Sequence, residues 1–218
     1  MAERRELLEM LKRIEEKLYA GWNLYSALAF LYWIPVLGTY MAIASTSWFM
    51  GLSEDAKGLF SAAYWVAAVM LSFTFYRTLL KKYIERLIAS LSSECSENCY
   101  REKRHCNLFS AVSWLLGFLL APGIGAALEP LLGPERGQAA GLLAFITVGT
   151  LGVALAEYCA SKKRPLSLVA PSATAAGMLL LPLVPPDVDA AYAFASSVIV
   201  VGYSVTAALY VLAALRRL

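Results

Sequence analysis

Residues 191–215 read AYAFASSVIVVGYSVTAALYVLAAL, and Arg216-Arg217 follow directly. This stretch has no charged side chain, and about 20 apolar residues suffice for a helix to cross roughly 30 Å of hydrocarbon. Five similar stretches precede it, near residues 24–48, 58–76, 107–128, 138–156 and 166–184. The pattern predicts an all-α, polytopic membrane protein whose residues 21–218 form a bundle of six transmembrane helices.

Composition agrees with this class. Hydrophobic residues make up 59% of the chain and charged residues only 16%, with a mean hydropathy of +0.59. A soluble domain carries about 25% charged residues. The 218 residues leave room for one bundle and for no sizeable domain outside the membrane.

The basic residues predict the orientation of the helices. Of the 19 Lys and Arg residues, only Lys57 and Arg136 lie in the segments assigned to one side of the membrane. The others lie in the N-terminal segment, the 77–106 loop, the 162–164 loop and the C-terminus. By the positive-inside rule this predicts a multi-pass protein with both termini in the cytoplasm. The basic face should attract anionic lipid headgroups. No recognisable module predicts binding to nucleic acid.

Two segments outside the membrane have helical periodicity. Leu7, Leu11, Ile14 and Leu18 form one stripe, which predicts a cytoplasmic amphipathic helix over residues 1–20. A stripe with the same spacing follows the second span, so this span is expected to extend into the cytoplasm over residues 77–91. The two stripes could pair with each other, with a second copy or with a partner protein. Alternatively, the N-terminal helix lies flat on the bilayer surface.

The 77–106 loop contains the one cluster of potential metal ligands. Cys95, Cys99, His105 and Cys106 together form a ligand set suitable for tetrahedral zinc. Their spacing matches no standard zinc motif, and the basic residues around them favour a thiolate without a metal. A disulfide is a further alternative, which a cytosolic compartment disfavours. An ordinary helical turn of small, semi-buried residues is the preferred interpretation of the cluster. No other cofactor is expected.

Hydroxyl groups and prolines mark the spans that could line a pathway. The candidate lining residues are Thr147, Thr150, Glu157, Ser196, Ser197, Tyr203 and Ser204. Hydrogen bonds between helices explain these hydroxyl groups equally well. Helix kinks are expected at Pro35, Pro122, Pro171 and Pro182. Small residues predict close packing between helices at Gly117, Ala121 and Gly125 on the third span and at Gly137 and Gly141 on the fourth.

These features favour a small channel or carrier for an uncharged or weakly charged solute. The alternative is a non-transporting scaffold or sensor that binds a partner through helices 3–19 and 77–91. Either class is expected to be a homo-oligomer or to bind a partner protein. An enzyme is not expected, because the single histidine lies in a loop and no catalytic constellation is visible.

Overall fold

Long helices dominate the computed structural model, which describes residues 2–75, 97–161 and 164–217. At residues 97–107 and at several positions before Tyr19, only the backbone is described. The main helices are α1 (Ala2–Ala44), α2 (Glu54–Phe75), α3 (Glu97–Leu132), α4 (Pro134–Ser161), α5 (Val169–Leu180) and α6 (Val188–Leu215). A single helical turn, Ser47–Met50, lies between α1 and α2. The described residues are all-α and contain no strand.

Five segments are long and apolar enough to cross a membrane: Tyr19–Ala44, Leu108–Leu132, Pro134–Cys159, Leu166–Leu183 and Val188–Leu215. The expected second span corresponds to α2, which is not among them. Asp55 and Lys57 lie in the first turn of α2. The described part of this helix stops at Phe75, so its described apolar part is short.

The expected N-terminal helix is continuous with the first span. α1 is 43 residues long and has no break at residue 20 or at Pro35. The first interruption comes at Ser45 and Thr46, where the Thr46 hydroxyl caps the following helical turn by accepting the Phe49 N–H at 3.2 Å. The helix of the first span is therefore continuous at Pro35 and is interrupted only near the end of the span, at Ser45 and Thr46.

The structure divides into two compact units, residues 1–95 with 211–218 and residues 96–210. In the first unit, tyrosines of α1 and α2 connect the two helices. Tyr32 donates to the Ala68 carbonyl at 2.8 Å, Tyr64 donates to the Val36 carbonyl at 2.6 Å, and the hydroxyls of Tyr40 and Ser61 are 2.8 Å apart. These bonds satisfy polar groups of an otherwise apolar contact.

In the second unit, α3 and α4 form a tight hairpin. Gly133 alone connects them with a φ of 86°, a conformation that favours glycine, and Pro134 starts α4 where no backbone N–H is required. The expected small-residue contact is confirmed. A Cβ added to Gly141 would lie 2.8 Å from the Ala121 carbonyl oxygen, and one added to Gly125 would lie 3.0 Å from that of Gly137.

Candidate functional site

Glu157 connects three helical segments near the end of α4. Its Oε2 accepts hydrogen bonds from the hydroxyls of Tyr210 and Ser167, both at 2.5 Å, and from the Ser167 N–H at 3.2 Å. Its Oε1 accepts the Leu166 N–H at 3.3 Å. Leu166 begins the 3₁₀ turn Leu166–Leu168 that leads into α5, and the first N–H groups of a helix have no partner within it. A carboxylate placed there also complements the positive end of the helix dipole.

Arg136 has the corresponding position at the other end of α4. Its Nη2 donates a hydrogen bond to the Val184 carbonyl. Val184 caps the 3₁₀ turn Leu181–Leu183, which ends the α5 segment. A cation beside the last carbonyls of a helix is electrostatically favourable. The Arg136 Nε is buried and has no hydrogen-bond partner within the described residues.

Buried hydroxyl groups lie between these two ends. The hydroxyls of Thr147 and Thr174 are 2.7 Å apart and connect α4 to α5. Thr150 donates to the Ile146 carbonyl at 2.6 Å, and Thr206 donates to the Gly202 carbonyl at 2.7 Å. These groups are satisfied by their own helices or by each other, so they do not require a solvated lumen.

The four expected residues of α6 lie on two different faces. Ser196 and Tyr203 lie on the more buried face, where Tyr203 is 2% exposed, whereas Ser197 and Ser204 are exposed. The Ser197 hydroxyl donates to the Ala193 carbonyl at 2.7 Å. The Ser196 Oγ is buried and has no hydrogen-bond partner in the described part of the chain. The structure thus brings together only some of the expected pathway residues.

Of the four prolines at which kinks were expected, two lie inside long helices and two lie at the ends of the α5 segment. Pro35 and Pro122 lie inside the continuous helices α1 and α3. Pro171 lies in the first turn of α5, and Pro182 lies in the 3₁₀ turn that follows α5. A first-turn proline costs no helical hydrogen bond, because the N–H that it lacks would have no partner there.

The Cys/His cluster remains a prediction. Cys95 lies outside the described residues. Cys99, His105 and Cys106 belong to the backbone of α3. Cys99 and Cys106 are separated by seven residues, about 10 Å along a helix axis. Cys159, near the end of α4, is disulfide-bonded. Among the described residues, no group of three or more His, Cys, Asp or Glu side chains could hold a metal ion.

Sequence reasoning identified Glu157 but missed the groups that bind it. Ser167 is 10 residues and Tyr210 is 53 residues further along the chain. One signal was present, because Tyr210 follows Ser196 and Tyr203 at the same seven-residue interval. Arg136 was counted only as a topology residue, although it lies in the first turn of the apolar helix α4.

These features define a class, an all-α multi-pass integral membrane protein. No protein family, curated protein or solved structure matches the chain.

Proposed function

We propose that the chain crosses the membrane six times, with α2 as the second crossing. The support is a contact between the two ends of the chain. The Arg217 guanidinium carbon lies 5.5 Å from the centre of the Tyr19 ring. Tyr19 begins the first apolar segment, and Arg217 follows the last one. An odd number of crossings would separate these two residues by the thickness of the hydrocarbon core, about 30 Å.

With six crossings, both termini face the same compartment. Seventeen of the 19 basic residues then share that side, so the positive-inside rule assigns it to the cytoplasm. Residues 2–18 and 97–107 would be the helical segments that extend into the cytoplasm from α1 and α3. The other expected extension, residues 77–91, lies outside the described residues.

We infer that the protein is a membrane scaffold or sensor subunit, and that α1 presents its binding surface. The observation that carries this proposal is the continuity of α1 through Tyr19. At 1.5 Å per residue, residues 2–18 extend the helix about 25 Å beyond the apolar segment. A helix lying flat on the bilayer would need a sharp bend before Tyr19, and α1 is helical throughout. A projecting helix with one apolar stripe is suited to binding a second helix.

The interior of the second unit supports the same proposal. Thr147, Thr150 and Thr206 form hydrogen bonds within the bundle. Glu157 and Arg136 hold the ends of α5. The side chains best suited to bind a permeating solute are thus engaged in structural contacts.

Removal of residues 2–18 tests the proposal that this part of α1 is the binding surface of a scaffold. The truncated and full-length proteins would be purified in the same detergent, and the mass of the complex measured by light scattering. A matched control replaces residues 2–18 with an equally long Gly/Ser segment. We expect both variants to form a smaller complex than the full chain, with unchanged helicity of the apolar segments. An unchanged mass in both variants would contradict the proposal.

Transport of a small uncharged solute is the second candidate. The observation that favours it is the Ser196 Oγ, which is buried without a hydrogen-bond partner among the described residues. Such a group is available to a solute hydroxyl or amide. Light-scattering measurements of glycerol and urea entry into proteoliposomes test this candidate. Faster entry than in empty liposomes, reduced by Ser196→Ala but not by Ser197→Ala, would support transport over the scaffold.

A further inference from the structure

The end of the first unit that contains Tyr19 and Arg217 combines a fixed cation with exposed aromatic and aliphatic groups. The cation–π geometry holds the Arg217 guanidinium over the Tyr19 ring, and such a contact contributes about 0.5–1 kcal/mol at an exposed site. The Arg217 backbone is also fixed, because its N–H donates to the Ala214 carbonyl at 3.0 Å. Arg216 and Arg217 are both exposed.

Two further aromatic side chains, Trp22 and Tyr25, lie within two helical turns of Tyr19 on α1. Trp22 is 49% exposed, and its ring centre lies 5.5 Å from that of Tyr25. Tryptophan and tyrosine prefer the headgroup level of a bilayer, where the ring contacts lipid and the polar atom contacts water. Tyr19, Trp22 and Arg217 therefore belong to the same level of the membrane.

Exposed aliphatic side chains lie next to these residues, within the apolar segments of α1 and α6. Leu24 and Leu28 of α1 are 39% and 45% exposed, and Leu212 and Leu215 of α6 are 51% and 59% exposed. Free phosphate would require only the cation. The aromatic and aliphatic groups next to it match the glycerol region and the acyl chains of a lipid. The combination thus favours a lipid over a soluble anion.

We propose that Arg217, Tyr19 and Trp22 form a binding site for the headgroup of an anionic phospholipid. The Arg217 guanidinium binds the phosphate, Tyr19 orients the guanidinium, and Trp22 packs against the glycerol region. The leucines contact the acyl chains. This site depends on the proposed insertion of α1 and α6 into a membrane, and it is independent of the choice between scaffold and transporter.

Native mass spectrometry of the full chain in detergent tests the site, with phosphatidylglycerol and phosphatidylcholine as probes. We expect Arg217→Ala to weaken phosphatidylglycerol binding about fivefold, the factor that corresponds to about 1 kcal/mol at 25 °C, with phosphatidylcholine binding unchanged. Arg13→Ala is the matched control, because Arg13 is an exposed arginine of α1 outside the apolar segment. Tyr19→Phe should bind as the wild type does, and Tyr19→Leu more weakly.

Three results would overturn the proposal. Equal phosphatidylglycerol binding by Arg217→Ala and the wild type would exclude the site. An equal loss in Arg13→Ala would indicate diffuse attraction by the whole basic surface. Displacement of the lipid by millimolar inorganic phosphate would identify a site for the free anion. Failure of membrane insertion is a separate outcome, because the wild type would then not float with phosphatidylcholine vesicles.

Discussion

Arg136 and Glu157 lie at opposite ends of α4 and bind opposite ends of the α5 segment. They are 21 residues apart, which corresponds to about 32 Å along a helix. Glu157 accepts the N–H groups of Leu166 and Ser167 at the start of the segment, and Arg136 donates to the Val184 carbonyl at its end. Each charge has the sign that the nearby helix terminus favours. Together they fix the register of α5 against α4.

Glu157→Ala should destabilise the second unit. The substitution removes the acceptor of the Tyr210 and Ser167 hydroxyls and of two backbone N–H groups. We expect a loss of about 2 kcal/mol in the free energy of unfolding, because buried donors are left without a partner. Unfolding in mixed micelles with increasing SDS, followed by circular dichroism, measures this loss.

Two variants serve as controls for this prediction. Glu157→Gln retains an acceptor oxygen, so it should lose less stability than Glu157→Ala. Tyr158→Phe changes the neighbouring side chain, which is 53% exposed, and should leave stability unchanged. A Glu157→Ala variant as stable as the wild type would show that the hydrogen bonds of this carboxylate contribute little.

Arg136→Leu should loosen the end of the α5 segment. The substitution removes the donor to the Val184 carbonyl and the favourable charge at the helix terminus. The Val184 N–H, which donates to the Leu181 carbonyl at 3.1 Å, reports this change. We expect its hydrogen exchange to accelerate about tenfold, which corresponds to about 1.4 kcal/mol. Arg136→Lys should retain part of the protection, and Arg164→Leu, at an exposed position, should have no effect. Unchanged exchange in Arg136→Leu would contradict a role for Arg136 at this terminus.

Gly141→Ala should weaken the packing of α3 on α4. The added methyl would lie 2.8 Å from the Ala121 carbonyl oxygen and 3.6 Å from the Gly125 Cα, so the two backbones must move apart. We expect the free energy of unfolding to fall by about 1–3 kcal/mol. Gly123→Ala is the matched control on α3, because a Cβ at Gly123 would have no atom within 4 Å. Alanine should be neutral or stabilising there, by up to about 1 kcal/mol. Equal effects of the two substitutions would exclude close backbone contact as the cause.

The sequence predicted the helices better than their ends or their contacts. The apolar stretch 138–156 marked α4, but the helix runs from Pro134 to Ser161, since polar residues at a membrane surface continue a helix as readily as they end it. The expected boundary at residue 20, between the amphipathic helix and the first span, coincides with no break in α1. Gly21 follows this boundary, and a single glycine lowers the stability of a helix without interrupting it. Glu157 was recognisable as an acid near the end of a span. Its bond to Tyr210 was not, because helix rotation and register depend on the packing of the whole bundle.

Thr147 and Thr174 should couple energetically across α4 and α5. Their hydroxyls are 2.7 Å apart, and each also contacts a carbonyl of its own helix. Hydrogen bonds between membrane helices contribute about 0.6 kcal/mol on average. A double-mutant cycle with Thr147→Val and Thr174→Val should give an interaction energy of that size. The cycle of Thr150→Val with Thr174→Val is the control, because Thr150 donates to carbonyls of its own helix. Additive effects of Thr147→Val and Thr174→Val would show that the contact does not stabilise the fold.

Reporter fusions should place both ends of the chain in the cytoplasm. Arg217 lies against Tyr19, and this contact requires an even number of crossings between the two residues. A fluorescent protein that matures only in the cytoplasm should therefore be active at either terminus, and a periplasmic phosphatase inactive at both. A third fusion, inserted between Gly51 and Ser53, tests the other side, because α1 ends at Ala44 and α2 begins at Glu54. Phosphatase activity there, with fluorescence at both termini, would identify α2 as the second of six crossings. Termini on opposite sides would instead leave α2 outside the membrane, and the contact between Tyr19 and Arg217 would then be incompatible with the membrane-inserted protein.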